Sequence, residues 1–223
     1  MNTETKQPLT ITILVDNPKS WIVPFAAELQ RLLQKRGHEV ALRHTEADIG
    51  KGDVLVLLGC EKIVPAEILR LNAHNIVVHP SDLPKGQGFS PLTWLILEGK
   101  NDVPITLFEA VENVDSGPYY FKDVIHFEGH ELNEELKRKQ GEKTVELALK
   151  FFDAYPNLIP KEQKGEKSWY RRRSPEDSEL EASKSIGEQF DLLRVVDNER
   201  YPAFFRFRGS TYILKIFKKG GEA

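Results

Sequence analysis

Apolar and polar positions along the first 80 residues predict strands and helices in alternation. Residues 9–16 form an apolar, β-branched run without a polar face, which is typical of a strand covered on both sides by helices. Apolar residues then recur near helical spacing until Gly37, which ends the first helix. Because such alternation favours parallel strands joined by right-handed crossovers, we predict an α/β fold around a mainly parallel sheet. The elements predicted in this part are strands at 9–16, 37–44, 53–59 and 75–79 and helices at 21–35 and 65–71.

The same pattern continues to about residue 160, which predicts one larger domain over residues 1–160. Residues 131–155 carry apolar residues at helical spacing beneath a charged surface, so they form either one long helix or two helices broken at Gly141. The other elements predicted in this part are a helix at 91–99 and two strands at 103–110 and 119–127.

A small C-terminal α+β appendage is predicted at residues 161–223. The composition there shifts to charged and polar residues before a short helix and two aromatic strands joined at Gly209. Because a lone hairpin is marginally stable in water, the aromatic strands are candidates for pairing across a homodimer. The helix is expected at 186–193 and the strands at 204–208 and 211–217.

The composition narrows the classes of function. The 223 residues are 40% hydrophobic and 29% charged, which allows a sizeable core. Lys and Arg number 31 against 34 Asp and Glu, and the formal net charge of −3 gives no general attraction for nucleic acid. The single cysteine excludes an intramolecular disulfide and a multi-cysteine metal site, and it predicts a reducing, cytoplasmic location. We expect no leader peptide and no membrane span from the polar N-terminal residues and the short apolar runs.

Candidate chemistry lies at the end of the fourth predicted strand, where His79 stands. Ligands of open parallel sheets bind beyond the carboxyl ends of the strands. The loop that follows combines glycines, which allow close approach of backbone, with several polar side chains. An ordinary surface turn has the same composition, so the location is what favours a functional interpretation. The loop residues considered for substrate contact are Ser81, Lys85, Gly86, Gln87 and Gly88.

Asp115 is the partner expected for His79. It lies in the loop after the next long predicted strand, and neighbouring strands of one sheet would bring the two loops together. A carboxylate beside an imidazole fixes its tautomer and favours its charged form, as a general base requires. Cys60, after a buried strand, is interpreted as a small core residue that could also contact a ligand.

Motifs of several other enzyme classes are absent from the sequence. No G-x-G-x-x-G follows the first strand, and no P-loop, G-x-S-x-G or H-E-x-x-H occurs. Dinucleotide binding, nucleotide hydrolysis, serine hydrolysis and zinc proteolysis therefore lose their specific support.

The order of residues in the middle of the chain resembles the 10-formyltetrahydrofolate-dependent formyltransferase family. The similarity covers about residues 54–120 and follows the family's elements N-x-H-x-S-x-L-P, a glycine-proline step and D-x-G in order and spacing. Residues 171–177 and 194–204 resemble the region after the catalytic domain in members that act on nucleotide-linked amino sugars. The matching positions are His79, Ser81, Leu83, Pro84, Gly88, Pro91, Asp115 and Gly117.

The resemblance implies attack of a primary amine on the formyl carbon of 10-formyltetrahydrofolate. His79 would take the proton from the amine, and Asp115 would hold and polarise His79. The family asparagine that hydrogen-bonds the formyl oxygen is Val77 here, and a missing donor of this kind costs about 3–4 kcal/mol. The replacements considered are a protonated His79, a backbone amide of residues 84–88, and Asn75 acting through a water. Asn75 is therefore included among the catalytic candidates.

The resemblance implies a Rossmann-like α/β layout and a reaction that requires no metal. It also implies where the ligands bind. Lys85, Gln87 and Trp94 correspond to the part of the family that faces the acceptor. Arginines 171–173 either balance a pyrophosphate or form a solvated link between subdomains. The pterin ring would lie against two segments, Cys60, Glu61, Lys62 and Ile63 in the first and Glu112, Asn113 and Val114 in the second.

From the resemblance we expect an N-formyltransferase that acts on the amine of a nucleotide-linked deoxyamino sugar. A UDP-4-amino-4,6-dideoxy sugar of the pseudaminic-acid type is the acceptor expected. A tRNA-directed member would carry a longer, basic C-terminal domain, so methionyl-tRNA ranks second, and glycinamide ribonucleotide is a further alternative. The alternative from another class is a catalytically silent module that binds folate or a nucleotide sugar, which Val77 supports.

Overall fold

A computed structural model describes residues 7–219; residues 1–6 and 220–223, which the predicted domain ranges include, lie outside the described residues. The strands are β1 (Thr10–Leu14), β2 (Glu39–Arg43), β3 (Gly52–Leu57), β4 (Asn72–His79), β5 (Gln87–Gly88), β6 (Asp102–Glu109), β7 (Tyr119–His126), β8 (Trp169–Tyr170), β9 (Ala203–Phe207) and β10 (Ser210–Leu214). The α-helices are α1 (Val23–Lys35), α2 (Ala66–Leu69), α3 (Pro91–Leu97), α4 (Asn133–Ala154) and α5 (Phe190–Val195).

Six strands form a central sheet in the order β2-β1-β3-β4-β6-β7. The pairs β1–β2, β1–β3 and β3–β4 are parallel, whereas β6 runs antiparallel to β4 and β7 antiparallel to β6. The predicted α/β fold with a mainly parallel sheet is confirmed. Helix α4 runs unbroken through Gly141, which decides between the two alternatives left open. The prediction missed β5 and β8, because a two-residue strand leaves no periodic pattern.

The central strands are buried on both faces, as their continuous apolar composition predicts. In β3, Val54 and Val56 pack into the larger core cluster with α1 and α4. Leu55 and Leu57 point to the opposite face and pack into a smaller cluster with Leu69 of α2. This smaller cluster adjoins segments that also line the candidate active site.

The C-terminal residues form a small cluster of their own around Leu193 and Ala203, beneath the β9–β10 hairpin. The buried Arg194 of α5 fastens this part to the rest, because its guanidinium donates to the carbonyl of Glu131 and to the side chain of Asn101. Residues 161–170 instead pair with the larger domain, so the boundary at 160/161 stays a prediction. No helix within residues 7–219 combines the length and apolar composition needed to cross a membrane.

Gly141→Ala tests the contact between α1 and α4. A Cβ atom on Gly141 would lie 2.5 Å from the ring of Phe25, well inside van der Waals contact. Overpacking of this kind costs about 1–3 kcal/mol, more than the helix propensity of about 1 kcal/mol that alanine adds. We expect the free energy of unfolding, measured by urea denaturation, to fall by up to about 2 kcal/mol.

The control is Glu142→Ala, on the exposed side of the same turn. Its effect should stay within about 0.5 kcal/mol. A Gly141→Ala protein more stable than the wild type would show that the two helices do not approach this closely.

Candidate active site

His79 is the last residue of β4, and its side chain is 10% exposed. Its Nε2 atom lies 2.9 Å from the carbonyl oxygen of Gly86. Because a carbonyl can only accept, Nε2 carries a hydrogen, and the neutral ring then has its lone pair on Nδ1. Among residues 7–219 no polar group is bonded to Nδ1, so this is the atom that can take a proton.

Asp115 lies on the opposite edge of the same imidazole. Its Oδ2 atom is 3.8 Å from Nε2 of His79 and accepts a 2.8 Å hydrogen bond from the backbone N–H of Gly88. The separation from His79 is too long for a hydrogen bond, but the carboxylate faces the edge of the ring that carries the hydrogen. The structure thus brings together the two residues predicted to pair.

The reason they meet differs from the one expected. Strand β6 is antiparallel to β4, and Glu109 at its end pairs with Ile76, whereas His79 pairs with Thr106. The connection after β6 therefore starts about three residues, roughly 10 Å, behind His79 and must turn back. The turn is tight at Gly117, where a Cβ atom would lie 1.8 Å from the carbonyl oxygen of Glu109. This explains the glycine of the D-x-G element.

A cavity of about 540 Å³ opens above His79 and Asp115. One wall is apolar and includes Leu57, Val77 and Phe108. Residues 60–63, which were predicted to contact the pterin, form the adjoining wall together with Val64. Of the predicted pterin residues, Cys60, Glu61, Lys62, Ile63 and Val114 line the cavity, whereas Glu112 and Asn113 are exposed and do not.

The residues predicted to face the acceptor divide into two groups. Gly88 lines the cavity. This position requires glycine for two reasons: its φ is +94°, and a Cβ atom would lie 2.4 Å from the carbonyl oxygen of Tyr170. Gly86 and Gln87 do not reach the cavity: the carbonyl of Gly86 accepts a hydrogen bond from His79, and the side chain of Gln87 donates one to the carbonyl of Asp115. The predicted residues that do not line the cavity are Ser81, Lys85, Gly86, Gln87 and Trp94.

Asn75 is not brought to the cavity. Its side-chain amide donates a 3.0 Å hydrogen bond to the carbonyl of Leu69. The backbone amides of residues 85–88 are also engaged, with acceptors on Asp82, Ser168 and Asp115, and Pro84 has no N–H to donate. Of the three replacements considered for the missing asparagine, a protonated ring is the one whose donor, on Nδ1, is not already used.

A basic and aromatic mouth, formed by Phe89, Trp169, Arg172, Arg173, Arg200 and Tyr201, surrounds the opening of the cavity. Arg172 stacks on Phe89, with its guanidinium carbon 4.5 Å from the ring centre. Among the described residues no carboxylate pairs with the guanidinium of Arg200 or Arg172, and Trp169 is 53% exposed. Trp169 was not predicted from the sequence. Arg200 and Tyr201 lie within residues 194–204, which resemble family members that act on nucleotide-linked amino sugars.

Arg171 behaves differently from its two neighbours. It forms a two-point ion pair with Asp177 and lies over the ring of Trp94, outside the cavity. The hydrogen bond from Arg171 holds the pKa of Asp177 near 2, so this carboxylate stays ionised and is committed to Arg171. Arg173, half-buried beside it, contacts the carbonyl of Asp177 and the hydroxyl of Ser178 and keeps its positive charge near the mouth.

The sequence matches known proteins over most of the domain that contains this site. The profile of the formyl transferase family matches residues 14–150. A methionyl-tRNA formyltransferase of Thermus thermophilus is 28% identical over 171 residues, which are 76% of this chain and 56% of that protein. The chain thus spans about half the length of the curated relatives it matches.

Solved structures share the fold over nearly the whole chain. A methionyl-tRNA formyltransferase from Clostridium thermocellum has a TM-score of 0.79 at 22% identity and is covered over 96% of both chains. A 4-N formyltransferase from Francisella tularensis has a TM-score of 0.71 at 18% identity, over 93% of this chain and 97% of the other. HypX from Aquifex aeolicus, solved in complex with tetrahydrofolic acid, has a TM-score of 0.77 at 19% identity, over 94% of this chain and 38% of the other.

The thiol of Cys60 should react slowly. Burial, with the charge of Asp16 added, raises its pKa to about 12. At pH 8 the thiolate fraction is then about one in ten thousand, against roughly a quarter for an ordinary thiol. We expect alkylation by iodoacetamide at pH 8 to be more than about a hundredfold slower in the folded protein than in the protein unfolded in guanidinium. Equal rates in the two states would show that the thiol is neither buried nor perturbed.

Proposed function

The chain belongs to the formyl transferase family, and from this premise we propose that it moves a formyl group from 10-formyltetrahydrofolate to the primary amine of a nucleotide-linked amino sugar. The observation that carries the proposal is the placement of His79 and Asp115 together in the wall of a cavity of about 540 Å³. A volume of this size is typical of small-molecule sites.

The reaction needs one group that both takes and gives a proton. A bond forms between the acceptor nitrogen and the formyl carbon, and the bond from that carbon to N10 of the folate breaks. The acceptor nitrogen loses a proton, and N10 gains one. His79 fits both transfers because no group within residues 7–219 is bonded to Nδ1, while Gly86 and Asp115 lie beside Nε2. Such acid–base catalysis contributes typically about 10²- to 10⁴-fold in rate.

The apolar part of the cavity fits the folate. A pterin is flat and needs an apolar wall together with nearby polar backbone, which Val77, Phe108 and the segment 60–64 supply. The carboxylate of Asp16 accepts hydrogen bonds from the backbone N–H groups of Glu61 and Lys62, which fixes the segment 60–64.

The basic and aromatic mouth fits a nucleotide. Five basic and three acidic side chains line the cavity, so it is more positive than the chain as a whole. Arginine guanidinium groups match phosphate geometry, and exposed aromatic rings such as Trp169 offer a stacking surface for a base. The UDP-4-amino-4,6-dideoxy sugar of the pseudaminic-acid type remains the specific acceptor we propose.

Methionyl-tRNA is the second candidate acceptor, because the names of the matched relatives favour it. The expectation that tRNA-directed members are longer does not exclude it, since the Clostridium chain is covered over 96% of its length. The formal net charge of −3 opposes it, because binding of nucleic acid depends on neutralising many phosphates.

We also propose that the β9–β10 hairpin pairs with a second copy of the chain. Its two strands form a sheet of their own, and Phe207, Tyr212 and Ile213 are 49%, 47% and 68% exposed. A two-stranded hairpin is marginally stable, and further strands or packing against another surface stabilise it. Light scattering that gives the monomer mass would contradict this assembly.

The function is tested by supplying 10-formyltetrahydrofolate with a panel of UDP-, dTDP- and GDP-linked amino sugars and methionyl-tRNA. We expect formylated amino sugar, detected by mass spectrometry, and no formylated methionyl-tRNA. His79→Ala should lower kcat by about a hundredfold or more, since it removes the base.

A matched control is His126→Ala, an exposed histidine that pairs with Asp102. It should leave kcat unchanged. Ligand binding without any formylated product would support the silent binding module, and product on the tRNA alone would overturn the choice of acceptor.

Val77→Asn tests the missing oxyanion donor. The residue lines the cavity at the position of the family asparagine. A donor to the formyl oxygen is worth about 3–4 kcal/mol at most, so we expect kcat to rise by about ten- to a hundredfold. Val77→Leu, which changes the volume and adds no donor, is the control. A Val77→Asn protein no faster than the wild type would show that another group already fills this role.

A further inference from the structure

The segment of residues 161–170 crosses both loops of the site. Lys161 exchanges two backbone hydrogen bonds with Tyr119 at the start of β7, at 2.7 and 2.8 Å. Eight residues later β8 pairs in parallel with β5, beside the carbonyl that holds His79. Residues 161–169 are all exposed apart from Gln163, whose side chain turns inward. Gln163 is thus the least exposed residue of a polar, solvated segment, and its side chain is directed at the loop that carries Asp115.

Gln163 binds the backbone on both sides of the turn that follows Asp115. Its Nε2 atom donates to the carbonyl oxygen of Asp115 at 3.0 Å and to that of Gly117 at 2.7 Å. Gln87 donates to the same Asp115 carbonyl at 2.9 Å. Two carboxamides from distant parts of the chain thus converge on one carbonyl.

Asp115 needs such support because its backbone is in the left-handed region, with φ of +52°. Residues other than glycine adopt this conformation rarely, and it persists where the surroundings hold it. The two glutamines fix the peptide plane that follows Asp115, while the N–H of Gly88 fixes the carboxylate. Releasing the carbonyl would allow the residue to relax and turn its carboxylate away from His79.

We propose that Gln163 is a positioning residue, which holds Asp115 in the conformation that places its carboxylate beside Nε2 of His79. Gln163 acts from outside the region matched to the family profile, which ends at residue 150. The turnover measurements below rest on the proposed function, whereas the spectroscopic measurement does not.

Gln163→Met removes both donors and keeps the length of the side chain. We expect kcat for formyl transfer to fall about tenfold and KM for both substrates to stay within about twofold, because the ligands contact other residues. The matched control is Gln34→Met on α1, an exposed glutamine that also donates to a backbone carbonyl, that of Val40. It should change neither parameter.

Gln163→Glu gives a readout that a merely structural role would not produce. Ionised, the new carboxylate cannot donate to the two carbonyls; protonated, it regains one O–H donor. The activity of Gln163→Glu relative to wild type should therefore rise as the pH is lowered, whereas the relative activity of Gln163→Met should not. A ratio that is flat with pH for both variants would contradict the proposal.

Nitrogen-15 NMR of His79 tests the positioning without turnover. The wild-type ring should show the tautomer with hydrogen on Nε2, and Gln163→Met should reduce its population as Asp115 moves away. If Gln163→Met does not fold, Gln87→Met removes the other donor to the same carbonyl. An unchanged tautomer together with kcat within twofold of wild type overturns the proposal. Absence of formyl transfer in the wild type would instead refute the proposed function and leave the NMR result to decide on Gln163.

Discussion

The antiparallel direction of β6 relative to β4 is the constraint on which the site depends. In a sheet of parallel strands, the loops after neighbouring strands leave from the same edge, and the two catalytic candidates would meet without further help. Here β6 ends level with Ile76, so the connection that carries Asp115 has to turn back toward His79. A short return of this kind leaves few backbone conformations, and the chain meets the demand with a glycine at 117 and a left-handed residue at 115.

The same constraint explains why the C-terminal part of the chain is needed near the site. A turn that stores strain requires partners from elsewhere, and the segment 161–170 supplies them through Gln163 and through the pairing of β8 with β5. Tyr170 and Ser168 accept hydrogen bonds from backbone amides of the loop that carries Gly86. The same segment therefore fixes both partners of His79, the carbonyl of Gly86 and the carboxylate of Asp115. The division into a catalytic domain and an appendage at residue 160 remains a prediction from composition, and the segment just beyond it contacts the larger domain.

The sequence was sufficient to predict the fold and the pairing of His79 with Asp115, because each leaves a recognisable pattern in the chain. The buried strands are continuous apolar runs, and His79 and Asp115 lie at fixed positions in an ordered motif. The mouth was harder to predict, because Trp169 and Arg200 come from segments whose charged composition is equally typical of a solvated loop. Glu112 and Asn113 were assigned to the ligand as part of a contiguous segment, but both are exposed outside the cavity, whereas Val111 and Val114 on either side of them line it.

Replacement of the family asparagine by Val77 leaves a single imidazole near the reacting centre with two tasks. The lost donor is worth about 3–4 kcal/mol, and a hydrogen bond from a charged group contributes about 1.5–3 kcal/mol. Once Nδ1 of His79 has taken the proton of the amine, the ring is cationic and carries a donor at the moment when the formyl oxygen is most negative. The hydrogen bond from Nε2 to the carbonyl oxygen of Gly86 keeps that nitrogen occupied, so the new proton resides on Nδ1. One protonated ring can therefore supply a substantial part, but not all, of what the asparagine would have supplied, which favours a working enzyme over a silent scaffold.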